Sequence, residues 1–285
     1  MYENIIAYQG HEGAYSHLAC RHVYPDMEAQ ACGSFVEAML KVEQGQARLA
    51  MIPLENSTAG RVEEIYRQMP KTRLHIIGEH FEPVNHCLLG VAGTRTEQLQ
   101  TVGSHPQALA QCDEHIKTLG LRSVAKLDTA GAALEVSQLG DPSHGAIASR
   151  LAAELYGLDI LEEQFQDVDG NTTRFLILSR TSSMPAFDPS QRFISSMMFQ
   201  VRNIPAGLYK ALGGFATNGV NLVKLESYMA GGTLKESTFH LDVEAHPEQR
   251  SMQLALQELE FFARDIRLLG TYPAHPFRTD HALID

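Results

Sequence analysis

The stretch Asn171-Thr172-Thr173-Arg174-Phe175 sets two hydroxyls, an amide and a guanidinium at the start of an apolar run, 175–178, with the length of a buried strand. A hydrophobic core needs none of these polar groups, and strand ends are where a rigid scaffold presents chemistry. Thr173 can donate and accept a hydrogen bond. Arg174 carries a planar fork of donors that matches a carboxylate or phosphate. The bland reading is a turn, a strand and a surface arginine. Three more corners of this kind precede it. Residues 10–16 follow the short apolar run 5–8; Glu55, Asn56, Ser57 and Thr58 follow the run 49–54; and Ser104-His105-Pro106-Gln107 follows the strand 100–104. At each of these the competing role of the polar side chains is helix capping, and a cap can also hold a ligand.

These corners need strands and helices in alternation to hold them. Strands read at 5–8, 47–53, 74–79, 84–91, 100–104, 121–127, 144–148, 158–161 and 175–178. Helices read from Ala14 to about Tyr24, and at 35–43, 62–69, 106–117, 130–139 and 150–156. Ser34 with Glu37 makes a capping box, Asp128 with Thr129 caps a helix, and so does Ser149. In an open α/β fold ligands bind outside the carboxyl ends of the strands. The expected architecture is two α/β lobes facing each other over a cleft, as in hinged, periplasmic-binding-protein-like domains. Lobe one covers about 1–80 plus 165–180, and lobe two about 81–164. Residues 181–192, rich in Ser and Pro, read as a linker. Beyond it strand 193–201, helix 205–215, strand 222–228, a Gly231-Gly232 hairpin, strand 236–245, helix 248–264 and strand 266–269 give a ferredoxin-like βαββαβ module over 193–272, then a tail over 273–285.

Composition narrows the function classes. The chain has 285 residues, 44% of them hydrophobic and 20% charged, with a net charge of −11. This suits two domains and excludes nucleic acid or an anionic membrane as the main partner. An acidic chain that binds an anion must use local positive groups, such as Arg174 or helix N-termini. The four cysteines, Cys20, Cys32, Cys87 and Cys112, are far apart and read as reduced thiols in a cytoplasmic protein. Thirteen scattered histidines lack ligand spacing in the sequence, so no metal is expected. Residues 1–4 do not resemble a signal peptide, and no apolar run approaches a membrane span.

Taken together, Gly10-His11-Glu12-Gly13-Ala14-Tyr15-Ser16, Pro53-Leu54-Glu55-Asn56-Ser57, Ser104-His105-Pro106-Gln107-Ala108-Leu109 and Asn171-Thr172-Thr173-Arg174-Phe175 resemble the prephenate dehydratase family, in its order and spacing. The module at 193–272 resembles the ACT regulatory domain that follows this catalytic domain. Ala206-Gly207-Leu208 stands near that domain's Gly-Ala-Leu, and residues 221–227 match its second ligand-binding segment. The chain departs from the family at Tyr228-Met229, where Arg-Pro is common, and at Ala14, where Thr is common.

The resemblance implies a lyase that converts prephenate to phenylpyruvate in phenylalanine biosynthesis, without cofactor or metal. Thr173 would donate to the departing hydroxyl, and Arg174 would hold a carboxylate. Asn56, Ser57, Ser104, Gln107, Asn171, Thr172 and Phe175 would bind substrate, although Phe175 also suits the core. L-Phenylalanine would bind at an interface between two ACT domains near Ala206, Gly207, Leu208, Asn218, Gly219, Val220, Asn221 and Leu222, with Glu226 and Ser227. A homodimer or homotetramer is implied, and no fused chorismate mutase is expected. Arogenate dehydratase and a non-catalytic amino-acid-responsive binding protein stand as the alternatives.

Overall fold

The alternating runs become three sheets in a computed structural model that describes residues 2, 4–229 and 237–280. The Gly231-Gly232 hairpin and residues 281–285 lie outside the described residues. In chain order the first elements are β1 (Ile5–Gln9), α1 (Tyr15–Val23), β2 (Glu28–Cys32), α2 (Phe35–Glu43), β3 (Leu49–Asn56), β4 (Gly60–Arg61), α3 (Glu63–Gln68), β5 (His75–Pro83) and β6 (Cys87–Val91). There follow β7 (Thr101–Ser104), α4 (Pro106–Gln111), α5 (Asp113–Thr118), β8 (Arg122–Ala125), α6 (Thr129–Leu139), β9 (His144–Ala148), α7 (Arg150–Tyr156), β10 (Leu158–Glu162) and β11 (Thr172–Ser179). The first sheet runs β2-β1-β3-β11-β5, with β4 paired to β3, and the second runs β10-β6-β9-β7-β8. β1 is parallel to β2 and β3, and β7 to β8 and β9, so helices must cross between them.

Two compact units result: residues 1–65 with 80–175, and residues 66–79 with 176–285. In the first, the β1–α1 turn sits directly on α7. A Cβ on Gly13 would come within 2.8 Å of the Ala152 backbone, so only glycine fits there. The Ser149 hydroxyl donates to the Gly13 carbonyl at 2.5 Å and also accepts from the Ala152 amide, combining a tie with the expected cap. The Tyr156 hydroxyl donates to the Glu12 carbonyl at 2.6 Å.

The second unit contains β12 (Phe193–Val201), α8 (Gly207–Thr217), β13 (Asn221–Met229), β14 (Ser237–Glu244), α9 (Arg250–Phe262), β15 (Ala263–Pro273) and α10 (Phe277–Asp280). Its sheet runs β13-β14-β12-β15, entirely antiparallel, which is a βαββαβ arrangement. Alternation along the strands puts Met197, Phe199, Phe239, Leu241 and Val243 into one core with Ala211, Phe215, Ala255 and Leu259 of the helices. The other face is polar yet buried, carrying Ser196, His240 and Asp242. Tyr66 stands beside it, its ring 6.0 Å from that of His240. Gly270 lets the chain at Ile76 approach, since a Cβ there would collide with the Ile76 carbonyl. Arg278 of α10 grips Glu79 through two nitrogens, at 2.6 and 2.8 Å.

The structure departs from the sequence expectations in a few elements. β2 was not foreseen, because Glu28-Ala29-Gln30-Ala31-Cys32 is an edge strand with little apolar surface to bury. β5 continues to Pro83 and ends there. The helix expected over 106–117 is divided at Cys112, and the helix expected to reach Arg264 stops at Phe262, because β15 begins at Ala263. The tail carries one short helix, α10. Residues 181–192 carry no helix or strand. No helix among the described residues is long and apolar enough to cross a membrane.

Candidate active site

Asn56 ends β3, and its side chain organises the turn that follows. Its Oδ1 accepts from the backbone amides of Thr58 (3.1 Å) and Ala59 (2.9 Å) and from the Thr58 hydroxyl (2.8 Å). Those donors fix which end of the amide is oxygen, so Nδ2 must point the other way. There it donates to Thr173 Oγ1 at 3.0 Å and to Asn171 Oδ1 at 2.7 Å. The chain of polar contacts continues. Asn171 Nδ2 donates to Gln111 Oε1 at 3.0 Å, and Gln111 Nε2 donates to the Thr58 hydroxyl at 2.6 Å. His86 Nε2 lies 2.9 Å from Gln111 Oε1, an acceptor, so that nitrogen carries the proton. His86 Nδ1 lies 3.0 Å from the Tyr15 hydroxyl, whose proton is donated to the Asn85 carbonyl at 2.8 Å. Burial holds the His86 imidazole below its ordinary value, outweighing the Gln111 hydrogen bond that raises it, and keeps the ring neutral. Burial likewise pushes the Tyr15 phenol well up.

This network borders a cavity of about 230 Å³. Thr173 and Phe175 line it together with Asn56, Asn171, Gln107, Gln111, His86, Tyr15 and Ser16. The N-terminal ends of three helices reach its wall: Ala14 and Tyr15 before and in α1, His105 before α4, and Asp128 and Thr129 at α6. His105 caps the α4 end and the Asp128 carboxylate caps the α6 end, whereas the α1 end has no side-chain cap and favours an anion. No lysine or arginine is among the described lining residues. At the rim, Asp128 accepts from the Gly131 amide through one oxygen and pairs with His11 at 2.6 Å through the other.

The expected residues separate into three groups. Asn56, Gln107, Asn171, Thr173 and Phe175 come together at the cavity. Ser57 and Thr172 stand behind them: the Ser57 hydroxyl accepts from the Thr172 amide at 3.0 Å and the Ser57 amide donates to the Thr172 carbonyl at 2.9 Å, which pins β11 to the turn after β3. Arg174 and Ser104 require correction. Side chains alternate along β11, so the strand that turns Thr173 and Phe175 to the cavity turns Arg174 away. Arg174 is 3% exposed and pairs with Glu55 at 3.0 Å, so its guanidinium braces the corner and lies outside the cavity lining. Ser104 is fully buried and donates to the Ile147 carbonyl at 2.6 Å, tying β7 to β9.

Tyr15, Ser16, Thr58, His86 and Gln111 were missed as site residues. Tyr15, Ser16 and Thr58 lay within or beside corners already singled out, whereas His86 and Gln111 have no local signal. Of the residues expected to take phenylalanine, Ala206 precedes α8 in a left-handed conformation, φ 57°, and Gly207 and Leu208 begin the helix. Asn218 ends it, and Gly219, with φ 68°, Val220, Asn221 and Leu222 lead into β13. Glu226 pairs with Lys224 at 3.3 Å, and Ser227 is exposed.

Comparison with known proteins places this geometry. A family model described as prephenate dehydratase matches residues 6–183. A bifunctional N-acyl-homoserine lactone acylase/prephenate dehydratase of Komagataeibacter europaeus is 47% identical over 277 residues, 97% of this chain and 98% of the relative. An arogenate dehydratase/prephenate dehydratase of Arabidopsis thaliana is 41% identical over 282 residues, 94% of this chain and 71% of the relative. The solved structure of a prephenate dehydratase from Arthrobacter aurescens in complex with L-Phe superposes with a TM-score of 0.87 at 26% identity, covering 98% of this chain and 97% of that one.

Proposed function

The chain belongs to the prephenate dehydratase family of enzymes, and we propose that it converts prephenate to phenylpyruvate, water and carbon dioxide. In this reaction the ring carbon–carboxylate bond breaks and its electron pair enters the ring. The carbon–oxygen bond at the opposite side breaks, and the departing oxygen leaves with that bond's pair. It must gain a proton to leave as water. Aromatisation drives the step, so the protein's work is to orient the substrate and protonate one oxygen.

One observation carries the reading: Thr173 faces the cavity while its oxygen accepts from Asn56 Nδ2 at 3.0 Å. A hydroxyl that accepts one hydrogen bond is a better donor of its own proton, because hydrogen-bond chains polarise their members. Asn56 is held in that orientation by the turn at Thr58 and Ala59. Thr173 is therefore the donor to the leaving hydroxyl, with solvent resupplying the proton. The substrate's carboxylates are held by the amides of Tyr15 and Ser16 at the start of α1 and by the Gln107 side chain, and Phe175 with Val84 supports the ring.

The second reading, favoured by the Arabidopsis relative, is the same elimination on arogenate, which differs by one amino group. Both substrates are tested side by side through kcat/KM, following phenylpyruvate by its ultraviolet absorbance in alkali and phenylalanine by chromatography. Preference for prephenate supports the first reading, and preference for arogenate replaces it. No turnover of either would return the chain to a binding role. The lactone acylase activity named for the Komagataeibacter relative calls for an activated nucleophile, whereas the Asn56–Thr173 corner supplies hydrogen-bond donors. We assign only the dehydratase reaction.

The βαββαβ module is read as an ACT domain that binds L-phenylalanine and lowers activity. The candidate residues lie at opposite ends of α8, whose 11 residues span about 16 Å. That length exceeds one amino acid, so a ligand touching both segments takes them from two copies of the chain. This favours a homodimer or a tetramer of dimers. Calorimetry should show phenylalanine binding, and no heat at millimolar concentration removes the sensor role.

A further inference from the structure

Outside the active-site cavity, three side chains meet that no step above uses. His22 stands in the last turn of α1, and His80 and Glu82 lie two positions apart on β5. A two-residue spacing on a strand puts both side chains on one face, and α1 brings His22 over that face. His22 Nδ1 is 2.9 Å, and His80 Nε2 2.8 Å, from the same carboxylate oxygen, Glu82 Oε2. All three ligand atoms lie within 4.8 Å of one another. Glu82 is 2% exposed, whereas the His22 side chain is 54% exposed, so the group is anchored at its base and open at its mouth. It borders a second cavity, of about 710 Å³, with Tyr15, Asn85 and Arg150 among its lining.

We propose that His22, His80 and Glu82 bind one divalent transition-metal ion, with zinc as the best match. Two imidazoles and one carboxylate are zinc's usual ligand types, at bond lengths of about 2.0–2.2 Å. Tetrahedral bonds of that length put neighbouring ligand atoms roughly 3.3 Å apart, so the two His–Glu contacts need to open by only about 0.5 Å. The cavity leaves the fourth position to water or a small ligand. Sequence spacing hides the set, because His80 lies 58 positions after His22. A bound ion would join the end of α1 to the end of β5. Both elements also lead to the active site, through Tyr15 at the start of α1 and through Val84 and His86 just after β5.

The competing role is a buried carboxylate satisfied by two imidazole hydrogen bonds, with no ion. Calorimetric titration of the full-length, chelator-treated chain with Zn²⁺ separates the two. One ion per chain should bind with micromolar or tighter affinity, with a visible ligand-field spectrum of four-coordinate type for Co²⁺ and a higher melting temperature with zinc. His22→Ala should weaken binding by ~100-fold while keeping the fold and the dehydratase turnover, because the side chain is half in water. His144→Ala, at an unrelated surface histidine, should bind as wild type does. Absence of a stoichiometric site, or equal affinity in His22→Ala, would overturn the proposal.

Discussion

The corner at Asn56–Thr173 and the polar face of the βαββαβ sheet use similar chemistry to opposite ends. In the second, the Ser196 hydroxyl donates to Asp242 Oδ1 at 2.5 Å, His240 Nε2 lies 3.1 Å from the same oxygen, and the Tyr272 hydroxyl is 3.1 Å from Ser196. A serine, a histidine and an aspartate are gathered there, yet each is at most 1% exposed. The serine proton is given to the aspartate and none is left for a ligand. In the first, amides and hydroxyls form a chain that ends on a hydroxyl facing a cavity. Residue types alone would rank the serine, histidine and aspartate as the better catalyst. Access and the direction of the donors reverse that ranking.

Substitutions can break this contrast, and the largest effect belongs to Thr173. Thr173→Ala should lower kcat by about 10²–10⁴-fold, the range of a positioned proton donor. Thr173→Ser should stay within about tenfold of wild type, and both should keep the wild-type denaturation midpoint. Turnover unaffected by the alanine would put the open corner on a level with the closed one.

Arg174→Ala comes next, and it acts on stability. Removing one partner of a buried ion pair costs about 3–5 kcal/mol, and the exposure of Glu55, about a third, places the loss at the low end of that range. Urea denaturation measures it. If Arg174 held the substrate, KM would rise with the midpoint unchanged.

A smaller effect depends on pH. The folded His86 imidazole lies below its usual value of 6.5, chiefly through burial, so the unfolded chain takes up the proton first. Stability from the neutral ring is complete above pH 6.5 and is lost as pH falls from there toward the folded value. Denaturation midpoints at pH 7.5 and 5.5 should therefore differ less in His86→Gln than in wild type. The smallest effect is that of Ser104→Ala, about 1 kcal/mol for one buried hydrogen bond, with kcat unchanged. A fall in kcat without loss of stability would return Ser104 to the substrate.

Much of this was legible in the sequence because it is local. Strands β1, β3, β9 and β11 stand out as apolar runs, and Ser34, Asp128 and Ser149 cap the helices expected of them. What stayed hidden depends on partners distant in the chain. Arg174 looked like a ligand for an anion until Glu55, 119 residues earlier, proved to hold it. Gln111 carries no motif, yet it joins Asn171, Thr58 and His86. Edge strand β2 lacks the apolar run that marks a buried strand.

The central claim is that Asn56 makes the Thr173 hydroxyl a better donor. The direct measurement is a double-mutant cycle on kcat with Asn56→Ala, Thr173→Ala and the pair together. If the two act as one unit, Asn56→Ala lowers kcat in the wild-type background and adds almost nothing once Thr173 is alanine. Losses that multiply in the double variant would contradict the account.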